Sequence, residues 1–385
     1  MAVYNGELKA GVNLENQVNT LKFSALDLKN NKATESMSGV AVNASSSQQI
    51  ENITGTIGAS SGIGAGVAAS VNSIGGTTQA YVLDALINDN NQGAGSDQKV
   101  AVTASNIAYD NSFIVAVGIG ANAGGLGIDT HAMNRSTTAL VTGASIVAND
   151  TVAVKAESTQ GISSLAAGGA AGGNAGAGTL SLALFENTTE ALISGTAVTA
   201  SGLEIKAKNT NDMFLMAGAV SIGGNAGGGA FAVGSSDSTT NAKLSNSGVT
   251  VNGAVNVDAI NETNINHIVV SGAGGGGNGV AGMADVNLVT DQTLATIEDS
   301  TIGTAGAKAA TVHVAASHTL DVDSKAGALG VGITGGGVGA GASINIIKAN
   351  TVATVSDSTI YADGHMDVTA TSIKHVDATA LTAGV

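Results

Sequence analysis

Seven alanines recur at near-fixed intervals: Ala44, Ala104, Ala156, Ala207, Ala259, Ala316 and Ala370, spaced 60, 52, 51, 52, 57 and 54 residues apart. Each closes an apolar-x-apolar-x-Ala run, such as "VAVNA" (40–44), "LEIKA" (203–207) and "MDVTA" (366–370). A second column, Ala-x-(Val/Ile/Leu), begins at Ala80, Ala139, Ala191, Ala242, Ala295 and Ala353 and keeps the same rhythm. Between the two lies a third, "SIVA" (145–148), "AVTA" (197–200), "GVTV" (248–251) and "TIYA" (359–362). Independent columns sharing one period of about 52 residues mark a structural repeat, and a repeat grows by adding units to one continuous core.

The runs alternate. In "VNVDA", Val255, Val257 and Ala259 point one way, and Asn256 and Asp258 the other. That period of two belongs to strands with one buried face. No stretch sustains helical spacing. Short strands at a long fixed period predict an all-β solenoid, a parallel β-helix of stacked coils. If a coil turns through three strands, the six short runs of each unit make roughly two coils of about 26 residues. Seven such units give about fourteen coils, a rod on the order of 65 Å at the spacing of paired strands.

Between the columns lie glycine segments, "SSGIGAGVAASV" (60–71), "AAGGNAGAGTLSLA" (170–183), "SIGGNAGGGAFAVG" (221–234) and "TGGGVGAGASINI" (334–346). Of 385 residues 55 are Gly, and none is Pro, Cys or Trp. Glycine in a strand costs roughly 0.5–1 kcal/mol relative to alanine, so the architecture must need it. A narrow bore that admits only small side chains, with tight corners, would. The lack of proline agrees, because every internal strand needs its N–H for the ladder. In "MFLMAGAVSIGG" (213–224) both faces are apolar or small, which predicts cover on both sides. Hairpins folding over the rod as a second layer would provide it, and so would another chain. Two insertions, "LINDNNQGAGSDQ" (86–98) and "GTAGAKAA" (303–310), lengthen units at one point of the repeat and are expected to leave as surface loops.

The formal charge is −15, with a single arginine, Arg135. Without basic clusters the chain is a poor partner for nucleic acid or an anionic membrane surface. Nine Tyr and Phe together cannot furnish the aromatic girdles of a transmembrane barrel, and no run of 18 apolar residues exists. The opening "MAVYNGELKAG" lacks the pattern of a signal peptide. The closing "DATALTAGV" repeats the start of a glycine segment, "DSKAGALGV" (323–331), so an excerpt of a longer protein is expected.

Motifs for chemistry are weak. "GGLGIDTHA" (124–132) matches one calcium nonapeptide, but such sites need tandem copies, and His131 takes its apolar position. "GVGITG" (330–335) has dinucleotide-loop spacing without a following helix. Asp321 and Asp323 share a strand face, and Asp357, Asp363 and Asp367 lie close in sequence. Solvated strand faces explain these carboxylates better than a sugar-cleaving pair. The six histidines (131, 267, 313, 318, 365, 375) show no metal-ligand spacing, and His313 is placed on the solvent side. No Ser–His–Asp set follows from chain order. The expected site residues are therefore none, whether catalytic, cofactor-binding or metal-binding, and no enzyme is expected.

The alanine columns, the "GGNAGAG" segments and "ANTVATVSDSTIYADGHMDVTATS" (349–372) resemble the repeat regions of filamentous-haemagglutinin-like adhesins and leukotoxin-type exoproteins of Gram-negative bacteria. The resemblance covers about residues 40–385, with 1–39 as divergent first coils of the same solenoid. It implies a right-handed β-helix, export by a type V route and display on the cell surface or release from it. The implied function is a structural and adhesive shaft meeting a host or bacterial receptor. The alternatives are a secreted cytotoxin acting on membranes, a polysaccharide-active β-helix enzyme, and a self-assembling filament that associates end to end or through its glycine-rich faces.

Overall fold

The computed structural model describes residues 23–27, 32–88, 91 and 94–385. It is all-β, and its long strands stack in parallel, as a β-helix requires. The seven alanines stand in one file: Ala44 pairs with Ala104, Ala104 with Ala156, Ala156 with Ala207, Ala207 with Ala259, Ala259 with Ala316 and Ala316 with Ala370. The second column, Ala80 to Ala353, is equally continuous.

That register corrects the expected coil. Each residue pairs with its equivalent one full repeat later, as Val100 does with Val152, so a unit is one coil and not two. The stack is six rungs and the first limb of a seventh, on the order of 30 Å along its axis rather than 65. The two-coil count assumes six separate short strands in each unit, and the unit instead joins them into two long limbs and one short strand. Glycine keeps an extended backbone and its N–H, so the glycine segments lie inside the ladder. Gln98–Thr142, for example, is strand throughout its 45 residues.

Each rung has three sides. A first limb of about twenty residues (98–120 in the second rung) forms sheet A. The chain turns at Ala121, and a second limb (122–142) returns as sheet B, facing the first. A short strand, Ser145–Val147, then closes the third side as sheet C. Sheet C is continued by Leu86–Ile87, Ala197–Ala200, Gly248–Val251, Thr301–Ile302 and Thr359–Ile360. Of the expected divergent coils at 1–39, residues 1–22 and 28–31 lie outside the described residues. Phe23–Asp27 runs antiparallel to 32–37, and the parallel stack starts at Ser38.

The cross-section is a wedge. At its thick end Val, Ile, Leu and Ala of all three sheets make one core, with Val102, Ala104, Ala139, Val141 and Ile146 fully buried in the second rung. At its thin end sheets A and B approach so closely that only small residues line the inner face, Gly118 being followed in its file by Ala170 and Ser221. A Cβ on Gly118 would lie 2.1 Å from the carbonyl oxygen of Gly124 and 2.6 Å from that of Gly64. This is the close approach that explains glycine's abundance.

Both corners are chemically marked. At the turn from A to B the asparagines of the "NAG" steps stack: Asn174 Nδ2 donates to Asn122 Oδ1 at 3.0 Å, and Asn225 Nδ2 to Asn174 Oδ1 at 3.3 Å. Each of the six turns from B to C has one left-handed residue, Asp84, Gly143, Gly195, Asn246, Asp299 or Asp357, all types that tolerate that conformation. The insertion at 303–310 leaves just after sheet C with 304–308 exposed, as expected, whereas that at 86–98 begins with the sheet C strand Leu86–Ile87 and its residues 89, 90, 92 and 93 lie outside the described residues. Breaking the amide ladder by Asn174→Ala is expected to cost about 1 kcal/mol, read as a lower urea midpoint. An unchanged midpoint would mean that the exposed amides exchange with water at no loss.

Candidate functional site

Strand parity sends some polar side chains inward. Asp110 and Ser112 share the parity of Ala104, and Asp129 and His131 that of Ala139, so all four enter the core midway along the wedge. There the two limbs bring them together. His131 Nδ1 donates to Asp110 Oδ2 at 2.8 Å, and its Nε2 lies 2.9 Å from Asp129 Oδ2. Ser112 Oγ is 3.2 Å from the same Nε2 and donates to Asp129, as does Ser164 from the next rung. Asn72 Nδ2 donates to Asp110 Oδ1 at 2.9 Å.

This has the membership of a Ser–His–Asp set, which chain order did not reveal, but not its chemistry. Burial alone would favour neutral imidazole. The hydrogen bonds and charges of Asp110 and Asp129 outweigh it and raise the His131 pKa to about 9. Burial likewise favours neutral Asp129, and the bond and charge of His131 with the two serine hydroxyls overcome this and hold its pKa below the usual value. A protonated ring carrying two carboxylates has no lone pair to accept a serine proton. His131, Asp110 and Asp129 are moreover fully shielded from solvent. The cluster is a structural ion triplet. It also disposes of the nonapeptide reading, since Asp129 is spent on His131 inside the core.

Similar sets recur up the stack. His267 Nδ1 meets Asp285 Oδ1 at 2.6 Å, and His318 Nε2 meets Asp291 Oδ2 at 3.1 Å, with Thr263 donating to the same carboxylate. Arg135 is buried too. Its guanidinium donates to Gln48 Oε1, Ser46 Oγ and Gly75 O of the first rung and to Asn106 of its own. Burial without a carboxylate lowers its pKa. Six threonines form a further inward file, Thr78, Thr137, Thr189, Thr240 and Thr293 buried and Thr351 half-buried. The wedge thus carries a polar seam between its aliphatic base and its glycine edge.

The remaining expected positions stay outside. His313 is half-exposed between Asp258 and Asp367. Asp321 and Asp323 face outward on sheet A, and Lys308 pairs with Asp363 at 2.9 Å. Among the described residues, no group of three or more His, Cys, Asp or Glu is placed to hold a metal ion, and no helix is long and apolar enough to cross a membrane.

Two concave surfaces are open to a ligand. One follows the asparagine ladder at the thin edge. The other, of about 370 Å³, lies on the outer face of sheet A across rungs two to five. Tyr109 lies down over Gly161, where a Cβ would come within 2.7 Å of its ring. Phe214 also lines it. Asn111, Asp212, Asn264 and Asn266 supply amides and one carboxylate, and Asn264 Nδ2 donates to Asp212 Oδ1 at 3.0 Å. An aromatic platform ringed by amide donors and acceptors suits a neutral polyhydroxylated ligand. A cleaving site needs two placed carboxylates, and Asp212 is the one acid in this groove.

No protein-family model matches the chain, and no curated protein or solved structure has significant similarity to it.

Proposed function

We propose that the chain is a structural and adhesive shaft of a bacterial surface or secreted protein, attaching to host or neighbouring cells. What carries this reading is the unbroken register from rung to rung, an architecture that adds length and side surface without a closed cleft. The resemblance of its repeats to those of large adhesins points the same way. The sheet A groove is the contact point best fitted to a receptor, with surface glycans as the ligand class its chemistry suits. The purified chain should bind cells without lysing them, and Tyr109→Ala with Phe214→Ala should reduce that binding at least tenfold with the fold intact by circular dichroism. Equal binding by the double variant would remove the groove from the proposal, and no binding by the parent chain would remove the adhesive function.

A membrane-active exoprotein is the second reading, favoured by the apolar outer faces near the thin edge. Release of dye from neutral lipid vesicles at micromolar protein would support it over the shaft.

A further inference from the structure

The predicted cover for the two-faced strands is only half present. The inner faces of the glycine segments cover one another, as Leu215 and Ala217 are fully buried, while Val220 and Ile222 on the outer face of the same strand are 52% and 63% exposed. On sheet B the outer surface is more uniform still. Beyond the corner, five outward positions on each of its six limbs carry no charge at all, and only Ser73, Thr130 and Ser235 offer a hydroxyl. One exposed apolar residue from each rung traces the face: Val71, Leu126, Leu184, Phe231, Leu288 and Ile346. Among the described residues nothing lies over it.

We infer that this outer face of sheet B is where a second copy of the same chain docks. Ten residues of strand across six rungs span about 900 Å². A stable dimer needs roughly 800 Å² from each partner, and an uncommitted monomer seldom shows an apolar patch beyond about 600 Å². The relief suits another sheet. Glycine and alanine leave hollows beside Val, Leu and Phe, and strict register without bulges keeps the face regular, so two such sheets can interdigitate about 10 Å apart. Of the charges at its border, Glu186, Glu190 and Asp237 are acidic and one, Lys348 in the sixth rung, is basic. A lipid surface would call for basic and aromatic residues there, whereas two copies can turn those acids to solvent. The chain's net charge opposes association, so added salt strengthens the dimer by screening it. This inference stands apart from the adhesive reading.

The test is sedimentation equilibrium of the full chain. The parent protein should weigh at least twice the 37.1 kDa of one chain. Leu184→Lys with Phe231→Lys, both outward-facing, should weaken association at least 100-fold while melting and circular dichroism stay unchanged. Thr188→Lys, outward on the polar part of the same limb, should leave the dimer as it was. A parent chain that is monomeric at tens of micromolar overturns the inference, and so does a dimer indifferent to the two lysines. A monomer that floats with phosphatidylcholine vesicles, and loses this with the lysines, would assign the face to lipid and overturn it too.

Discussion

Gly118→Ala should destabilise the protein by about 3 kcal/mol or more, while Gly124→Ala, six residues away at the same thin edge, should be neutral or stabilise by about 0.4–1 kcal/mol. The two differ only in direction. The Cβ at 118 would point inward onto the Gly124 carbonyl at 2.1 Å, a backbone atom that cannot rotate aside, whereas at 124 nothing lies within 4 Å. One added methyl therefore either pries sheets A and B apart or trims the freedom of the unfolded chain. Urea unfolding of the two variants measures the contrast. Equal midpoints would mean that the edge is not the close contact described.

The second large effect belongs to His131. His131→Gln leaves Asp110 and Asp129 buried without their cation, and loss of one partner from a buried ionic set costs about 3–5 kcal/mol. The pH dependence follows from the same geometry. The His131 pKa is raised from 6.5 to about 9 on folding, so its stabilisation is complete below pH 6.5 and is lost as pH rises through 9. The whole of it is on the order of 3 kcal/mol. Asp129 moves the other way: its pKa is lowered from 3.8, so its contribution is present above pH 3.8 and is lost in acid below that value. The urea midpoint should hold from about pH 4 to 6.5 and then decline toward pH 9. In His131→Gln the alkaline decline should be shallower. A parent midpoint flat between pH 6.5 and 9 would contradict the charged triplet.

Much of the fold was legible in the residues. Alternation in "VNVDA" and "LEIKA" set which side chains turn inward, and the alanine columns set which residues stack. The coil count was not, because Gly, Ser and Thr serve turns and ladders alike. "LAAGGAAGGNAGAG" reads as punctuation, yet only its Gly172–Asn174 step is a corner. One column went unread: Asp84, Gly143, Gly195, Asn246, Asp299 and Asp357 occupy a single left-handed corner, and each precedes its short strand by the same few residues.

The buried cluster was half legible. Counting by twos from Ala104 reaches Asp110 and Ser112, and from Ala139 reaches His131 and Asp129. That already consigns four polar groups to the core, where they must find partners. What the sequence does not state is the corner at Ala121, about midway between Asp110 and His131, which sets the two limbs face to face. In the sequence Arg135 stands out only for what its solitude excludes. Its place inside the wedge depends on neutral acceptors in another rung, and on Gly76, where a Cβ would come within 2.9 Å of its Nη1. The outer faces were legible as apolar, but not as uncovered.

The central claim is that one repeat makes one coil, and a disulfide pair tests it most directly, since the chain has no cysteine of its own. Thr103 and Lys155 are register partners on adjacent rungs of sheet A. Thr103→Cys with Lys155→Cys should oxidise readily to an intramolecular disulfide, as neighbouring strands bring such pairs within bonding range. Thr103→Cys with Thr130→Cys should stay reduced, because those residues sit on opposite outer faces. Should the second pair close and the first stay open, each rung would hold about 26 residues, and the wedge described here would be wrong.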